Sequence, residues 1–286
     1  MKFIKKYFNI LSIVFIFIFL MSGCTNNINS TSTFNYSGLK IHYIDVGQGD
    51  SELIQVNGKN LLIDAGPNES RDKLMSYLNK QNIKKLDYVI ATHPDEDHIG
   101  GMGNVLKKYS IDKFYTPKKI VNTKTFEYMI QQLKNKNMKI DTPTPGVQLD
   151  LGKNTTAEIL APNSKSYPDT NNYSVVLKLT YGNTKFLFTG DAEKTSEMEM
   201  IDKNYDLSAD VLKVGHHGSS SSTSQQFLDK INPKIAVISC GKNNKYGHPH
   251  KKTINKLKKK NIQIYRTDVS GTIILTSNGT KISKQD

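Results

Sequence analysis

A chain of 286 residues with 37% hydrophobic and 23% charged content is long enough for one large domain or two small ones, and this composition excludes a disordered polymer. Thirty-nine Lys and Arg against 26 Asp and Glu give a net charge of +13, which suits an anionic polymer or an anionic membrane as partner, although Lys- and Asn-rich codon usage produces the same surplus. With two cysteines, Cys24 and Cys240, a disulfide framework or a four-cysteine zinc site is ruled out if Cys24 is modified.

The N-terminus reads as an address. Lys2, Lys5 and Lys6 precede an apolar run over 10–21, broken only by Ser12 and short for a membrane span of roughly 20 residues. Leu20-Met21-Ser22-Gly23-Cys24 resembles a bacterial lipobox, which implies cleavage before Cys24 and acylation of its thiol. The expected organisation is a signal peptide over 1–23, a flexible tether over 24–38 rich in Asn, Ser and Thr, and a folded domain over 39–286 on the extracytoplasmic face of the cell membrane. An uncleaved anchor is the alternative. Loss of the three leader lysines would leave a charge of about +10.

Strands are expected over 40–45, 51–56 and 60–64, with Asn57-Gly58 as a hairpin turn. A helix over 70–80 leads to an apolar strand over 86–92, and helices over 104–109 and 123–137 follow. The second half repeats the style, with strands over 156–160, 174–180 and 185–189, a helix over 193–202, and a strand over 209–214. A helix over 223–230, a strand over 234–239, a lysine-rich helix over 251–260 and strands over 262–266 and 271–276 complete the chain. The pattern suggests an α/β fold of two mixed β-sheets packed together and flanked by helices.

Chemistry concentrates in the loops that leave apolar strands. Thr92-His93-Pro94-Asp95-Glu96-Asp97-His98-Ile99-Gly100-Gly101 places four metal-ligand types within six residues. Phe188-Thr189-Gly190-Asp191 ends a second apolar strand in a carboxylate, and Val214-Gly215-His216-His217-Gly218-Ser219 ends a third in paired histidines. Five of the seven histidines, His93, His98, His216, His217 and His248, lie in such Gly- or Pro-containing loops, whereas solvating histidines would be scattered.

These motifs resemble the metallo-β-lactamase superfamily. Ile44-Asp45-Val46-Gly47-Gln48-Gly49-Asp50-Ser51, Asn171-Asn172-Tyr173-Ser174 and Tyr246-Gly247-His248-Pro249 are similar to the C-terminal hydrolase domain of ComEC competence proteins. The resemblance implies an αββα sandwich with two divalent metal ions at the sheet edge. His93 and Asp95 would serve one ion, and Asp97 and His98 the other. Asp191 would bridge them, and His217 would be the ligand in preference to His216. Asp64 would support the site. Asp95 and the Asn172/Ser174 region stand where the superfamily usually has histidine. The resulting oxygen-rich set favours manganese or magnesium over zinc and weakens the first site.

Two metals suit hydrolysis of a phosphodiester. Asp97 and Asp191 would act in catalysis with His248, while Asn172, Ser219 and Asp50 would contact substrate. For His248, Asn172 and Ser219 a loop hydrogen bond is the plain alternative, and for Asp50 a turn cap. DNA is the favoured substrate, given the resemblance and the charge. Phosphocholine esters on surface polymers, or a non-catalytic surface DNA-binding protein, are the competing readings, and no protein partner is expected. For the anchor, Cys24→Ala should leave an uncleaved precursor that takes up no fatty-acid label, and normal labelling of that variant would exclude lipidation.

Overall fold

In the computed structural model, which describes residues 38–285, neighbouring side chains of the central strands point to opposite faces, and both faces are apolar. In β1 (Leu39–Tyr43), for example, Leu39, Ile41 and Tyr43 all enter one core. The expected signal peptide and nearly all of the tether lie outside the described residues. Among the described residues no helix is long and apolar enough to cross a membrane.

After β1 come β2 (Glu52–Val56), β3 (Lys59–Ile63), α1 (Arg71–Lys80) and β4 (Lys85–Ile90). The short α2 (Glu96–Ile99), α3 (Met102–Lys108), β5 (Ser110–Tyr115), α4 (Lys124–Asn135) and β6 (Ile140–Asp141) follow. The second sheet is built from β7 (Gln148–Leu149), β8 (Thr155–Ala161), β9 (Val176–Tyr181) and β10 (Thr184–Phe188), then β11 (Val211–Lys213) after α5 (Lys194–Asp202). It continues with α6 (Gln225–Ile231), β12 (Ile235–Ile238), α7 (Lys251–Lys259) and β13 (Gln263–Arg266). The chain then passes through α8 (Thr267–Ser270) and returns to the first sheet as β14 (Ile273–Ser277) and β15 (Ile282–Gln285).

Among the described residues the eight-stranded sheet runs β15-β14-β1-β2-β3-β4-β5-β6 and the seven-stranded sheet β13-β12-β11-β10-β9-β8-β7. Between them lies a core that includes Leu61, Ile63, Leu177, Leu179, Phe186 and Phe188, with Tyr43 stacked on Phe188 at 6.1 Å across the two sheets. Helices cover the outer faces. Leu74 and Leu78 of α1, and Met129 and Leu133 of α4, lie one turn apart and seal the first sheet, while Met200, Phe227, Leu228 and Leu257 seal the second. Full burial of each such side chain stabilises by about 1.5–3 kcal/mol. The expected two-sheet architecture with flanking helices is therefore present.

The Asn57-Gly58 turn forms as expected, with both residues at positive φ (52° and 75°), the requirement of a tight hairpin. Several elements differ. The strand expected to reach Asp45 ends at Tyr43, because Asp45 caps the Gly47 N–H and pairs with Lys73. The strand expected from Ser174 begins at Val176, because Ser174 is drawn into the site described below. β5, β6, β7 and β15 were not expected: β5 buries only Phe114 and Tyr115, and β15 is a polar edge strand with no apolar alternation.

His42 of β1 is fully buried between the Tyr77 hydroxyl (2.7 Å) and the Gln55 carboxamide oxygen (3.0 Å). Burial is the main cause that lowers its pKa to about 4, so it folds as the neutral ring. The unfolded chain binds a proton near pH 6.5 and the folded one does not until about pH 4. Stability from this residue is therefore complete above pH 6.5 and lost as pH falls toward 4, by about 3 kcal/mol. Urea unfolding at pH 7 and pH 4.5 should show His42→Gln losing less stability across this interval than the native sequence, and equal losses would refute the assignment.

Candidate metal centre

The site lies where parallel strands of both sheets end. β3 and β4 run parallel in the first sheet, β10, β11 and β12 in the second, and the loops leaving β4, β10 and β11 carry the ligand-type residues. Close backbone approaches hold these loops together. Asp50 N–H donates to the Asp97 carbonyl (3.2 Å) and Ala65 N–H to the His98 carbonyl (2.7 Å). Gly218, at φ +84°, is required because a Cβ there would lie 2.6 Å from that of Pro249.

Three imidazoles point their Nε2 atoms into one space because their Nδ1 atoms are engaged behind them. His98 donates from Nδ1 to Asp64 Oδ2 at 2.7 Å, and both side chains are fully buried. The same Asp64 carboxylate accepts the Thr92 N–H (2.8 Å) and the Thr92 hydroxyl (2.6 Å). With its proton spent on Asp64, Thr92 Oγ1 is left to accept from His93 Nδ1 at 3.1 Å. His217 Nδ1 faces the Ser239 carbonyl (3.0 Å) and Asp50 Oδ1 (3.2 Å), so it too must carry the hydrogen. In the neutral rings, the form that binds metal, all three lone pairs are thus on Nε2.

Those atoms meet carboxylates. His98 Nε2 is 3.3 Å from Asp191 Oδ1, and His217 Nε2 is 3.1 Å from Asp97 Oδ2 and 3.5 Å from Asp191 Oδ2. His93 Nε2 is 3.6 Å from Asp95 Oδ2, whose side chain is 44% exposed and marks the open side of the site. His93 Nε2, His98 Nε2 and Asp191 Oδ1 are buried without a hydrogen-bond partner, which is costly unless another group satisfies them. A divalent cation fits this donor set. His93, His98 and Asp191 form one group able to hold an ion, and Asp97, His98 and His217 another, each with ligand atoms within 4.8 Å of one another. Asp191 turns Oδ1 toward His98 and Oδ2 toward His217.

The charges are mutually dependent. Burial opposes ionisation of Asp191 and Asp97, but neighbouring His217 and His98 hold both carboxyls below the usual range. Burial likewise opposes charge on His217, yet Asp191 and Asp50 push its pKa up to about 10. A proton on His217 thus answers the buried carboxylates as an ion would, and binding a metal would displace it.

His216 takes a different position. It lies at positive φ (49°), its Nδ1 is 3.1 Å from Glu193 and its Nε2 is 3.7 Å from Asp191 Oδ2, so it faces Asp191 from the exposed side rather than standing behind His217. Ser219 joins this edge through Ser221, whose hydroxyl lies 2.9 Å from Ser219 Oγ and 3.3 Å from His216 Nδ1. His248 packs its ring 5.3 Å from that of His216. Gln48 Oε1 accepts the Gly241 N–H, which turns Gln48 Nε2 toward His248 Nδ1 at 3.5 Å and leaves the hydrogen of the neutral ring on Nε2.

Two expected substrate residues are placed otherwise. Asp50 is buried beneath the cleft rather than bordering it, paired with Lys213 and supporting His217, because a second-sheet lysine needs that carboxylate in the interior. Asn172 is also buried, and its carboxamide oxygen accepts the Ser196 N–H at the start of α5 (3.1 Å). Sequence reasoning missed Lys213, Glu52 and Thr92. Alternation along β11 puts Lys213 on the face of Val211, which packs in the inter-sheet core, and that was the available signal.

The family model described as the metallo-beta-lactamase superfamily matches residues 44–242. ComE operon protein 3 of Bacillus subtilis (strain 168) is 36% identical over 252 residues, covering 82% of this chain and 32% of that protein. Exodeoxyribonuclease WalJ of Streptococcus pneumoniae serotype 2 is 36% identical over 83 residues, 28% of each chain. The solved structure of the metallo-beta-lactamase fold protein YhfI from Bacillus subtilis aligns over 84% of this chain and all of its own, with a TM-score of 0.55 and 16% identity. The chain spans between 28% and 32% of the length of the curated relatives that it matches over most of its own sequence.

Asp64→Asn would keep an acceptor for Thr92 but weaken the grip on His98 Nδ1. Metal affinity, measured by competition with a chromogenic chelator, should fall about 10- to 100-fold. Unchanged affinity would remove Asp64 from the metal centre.

Proposed function

We propose that this chain, which belongs to the metallo-beta-lactamase superfamily, is a metal-dependent phosphodiesterase that cleaves DNA on the outer face of the cell membrane, held there by lipid on Cys24. The observation that carries the reading is the convergence of His93, His98 and His217 Nε2 with Asp191 on one buried space. The partnerless atoms there call for a cation. Asp97, His98, His217 and Asp191 would hold one ion, and His93, Asp95 and Asp191 the weaker other. Ions held there supply Lewis-acid charge to a phosphoryl oxygen and lower the pKa of an attacking water.

The protein's own groups have separable tasks. Asp97, kept ionised by His98 and His217 against the cost of burial, suits metal ligation better than proton abstraction. His248 is lowered to about 4 by burial and by the charges of His217 and His216, so it is neutral at pH 7. Its Nε2–H, set by Gln48, would donate to the developing oxyanion. Ser219 and His216 line the same edge.

Support for a nucleic-acid phosphodiester comes from two sides. The segment from Gly241 to Arg266, which carries His248, contains nine Lys and Arg residues and no acidic residue. WalJ, similar over 83 residues, is named an exodeoxyribonuclease. The oxygen-rich ligand set favours manganese over zinc, with magnesium as a further candidate. The purified protein should hydrolyse single-stranded oligodeoxynucleotides with added manganese faster than with zinc, and Asp191→Ala should lose both metal and turnover. Cleavage of phosphocholine esters but of no oligonucleotide would overturn the substrate assignment. Full metal content in Asp191→Ala would overturn the bridging role.

A further inference from the structure

Tyr246 is a large aromatic left 54% exposed on a loop tied to the candidate centre. Its ring is nearly parallel to that of His248, at 22° and 5.6 Å between centroids, and His248 lies 5.3 Å from His216, whose Nε2 is 3.7 Å from Asp191. Between the metal ligands and open solvent, then, stands a short run of rings, His216 edge-on to His248 and His248 stacked on Tyr246.

The loop is held, not draped. Asn244 Oδ1 accepts the N–H of Tyr246 (3.2 Å) and of His248 (3.0 Å), and Asn244 Nδ2 donates to the carbonyls of Gly241 (2.9 Å) and His248 (2.6 Å). His250 N–H donates to the Gly218 carbonyl, which fixes the far end of the loop to the turn that carries His216 and His217. A ring in such a frame loses little conformational freedom when a flat ligand packs on it.

The surrounding charge is of one sign. Lys242, Lys245, Lys251 and Lys252 are exposed and meet no carboxylate among the described residues. Lys260 and Arg266, by contrast, are paired with Asp229 and Asp268. Lys245 Nζ stands 5.1 Å from the centre of the Tyr246 ring. An aromatic ring with one lysine against it and three more within six residues along the chain suits a ligand that alternates flat π-faces with phosphates.

We propose that Tyr246 is a base-stacking platform, receiving a nucleobase of a single-stranded polynucleotide whose adjoining phosphodiester lies at the candidate metal centre. The proposal rests on the phosphodiesterase reading and adds to it the form of the substrate, an unpaired strand whose bases are turned outward. A duplex, with its bases stacked internally, cannot present one to this ring.

The chain contains no tryptophan, so Tyr246→Trp introduces a single reporter at the platform. Using the full chain in non-ionic detergent with EDTA, oligothymidylate should quench this fluorescence, and an abasic strand of equal length should not. By anisotropy of labelled strands, the native protein should bind oligothymidylate about tenfold more tightly than the abasic strand, while Tyr246→Ala should bind both at the abasic level. Tyr246→Trp should keep the preference. A preference that survives in Tyr246→Ala, equal binding of both strands by the native protein, or equal quenching by both strands would each overturn the platform. Because binding is read without turnover, base preference in a protein that cuts no strand would support the platform and sink only the phosphodiesterase reading. Strand cleavage without base preference would do the reverse.

Discussion

Asp64 governs the geometry of the candidate centre. One buried carboxylate accepts from the Thr92 backbone, the Thr92 hydroxyl and His98 Nδ1, so it fixes two ring tautomers, one directly and one through a hydroxyl. Its backbone lies at positive φ (55°), unusual for a residue with a side chain, at the point where β3 gives way to the loop beneath the centre. Strain of this kind persists only where the surroundings over-determine it, and three hydrogen bonds to one side chain do so.

A second buried group balances the first from the opposite sheet. Lys213 and Asp50 are each 1% exposed and form an ion pair between the sheets, with Glu52 nearby. Burial and the charge of Asp50 raise the Glu52 carboxyl, which eases the repulsion of two carboxylates sharing one lysine. Such a pair contributes little net stability, but loss of one partner leaves a charge stranded in apolar surroundings. Its return is positional: Asp50 cannot move without releasing Lys213, and His217 Nδ1 is held against Asp50.

The ligand loops were legible because the chemistry is crowded into short motifs that follow apolar strands. His93, Asp95, Asp97, His98, Asp191, His216, His217 and His248 could be named from spacing and resemblance, and the structure brings them together. What escaped was whatever depends on the opposite sheet. Lys213 between Leu212 and Val214 reads as an ordinary strand lysine until the second sheet supplies Asp50. Asp50 reads as a turn residue until Lys213 and His217 cover it. Asn172 has the residue type of a substrate contact, yet the start of α5 takes its carboxamide oxygen. Of the fold, the two sheets and most helices followed from periodicity. β5 and β15 did not, because a strand with little buried surface leaves almost no hydrophobic pattern.

The pairing of β1 sets the order in which the molecule can be made. β1 hydrogen-bonds to β2 on one side and on the other to β14, Leu39 opposite Ser277 and Tyr43 opposite Ile273. Its second edge therefore stays open until nearly the whole domain has been synthesised, and closing it joins residues far apart in sequence at a large loop-closure cost. Contacts of such high order make folding slow and late. A polypeptide emerging from the ribosome presents His93 and His98 long before the sheet behind them can close. Until β14 arrives, an apolar first strand remains available to chaperones or to mispairing.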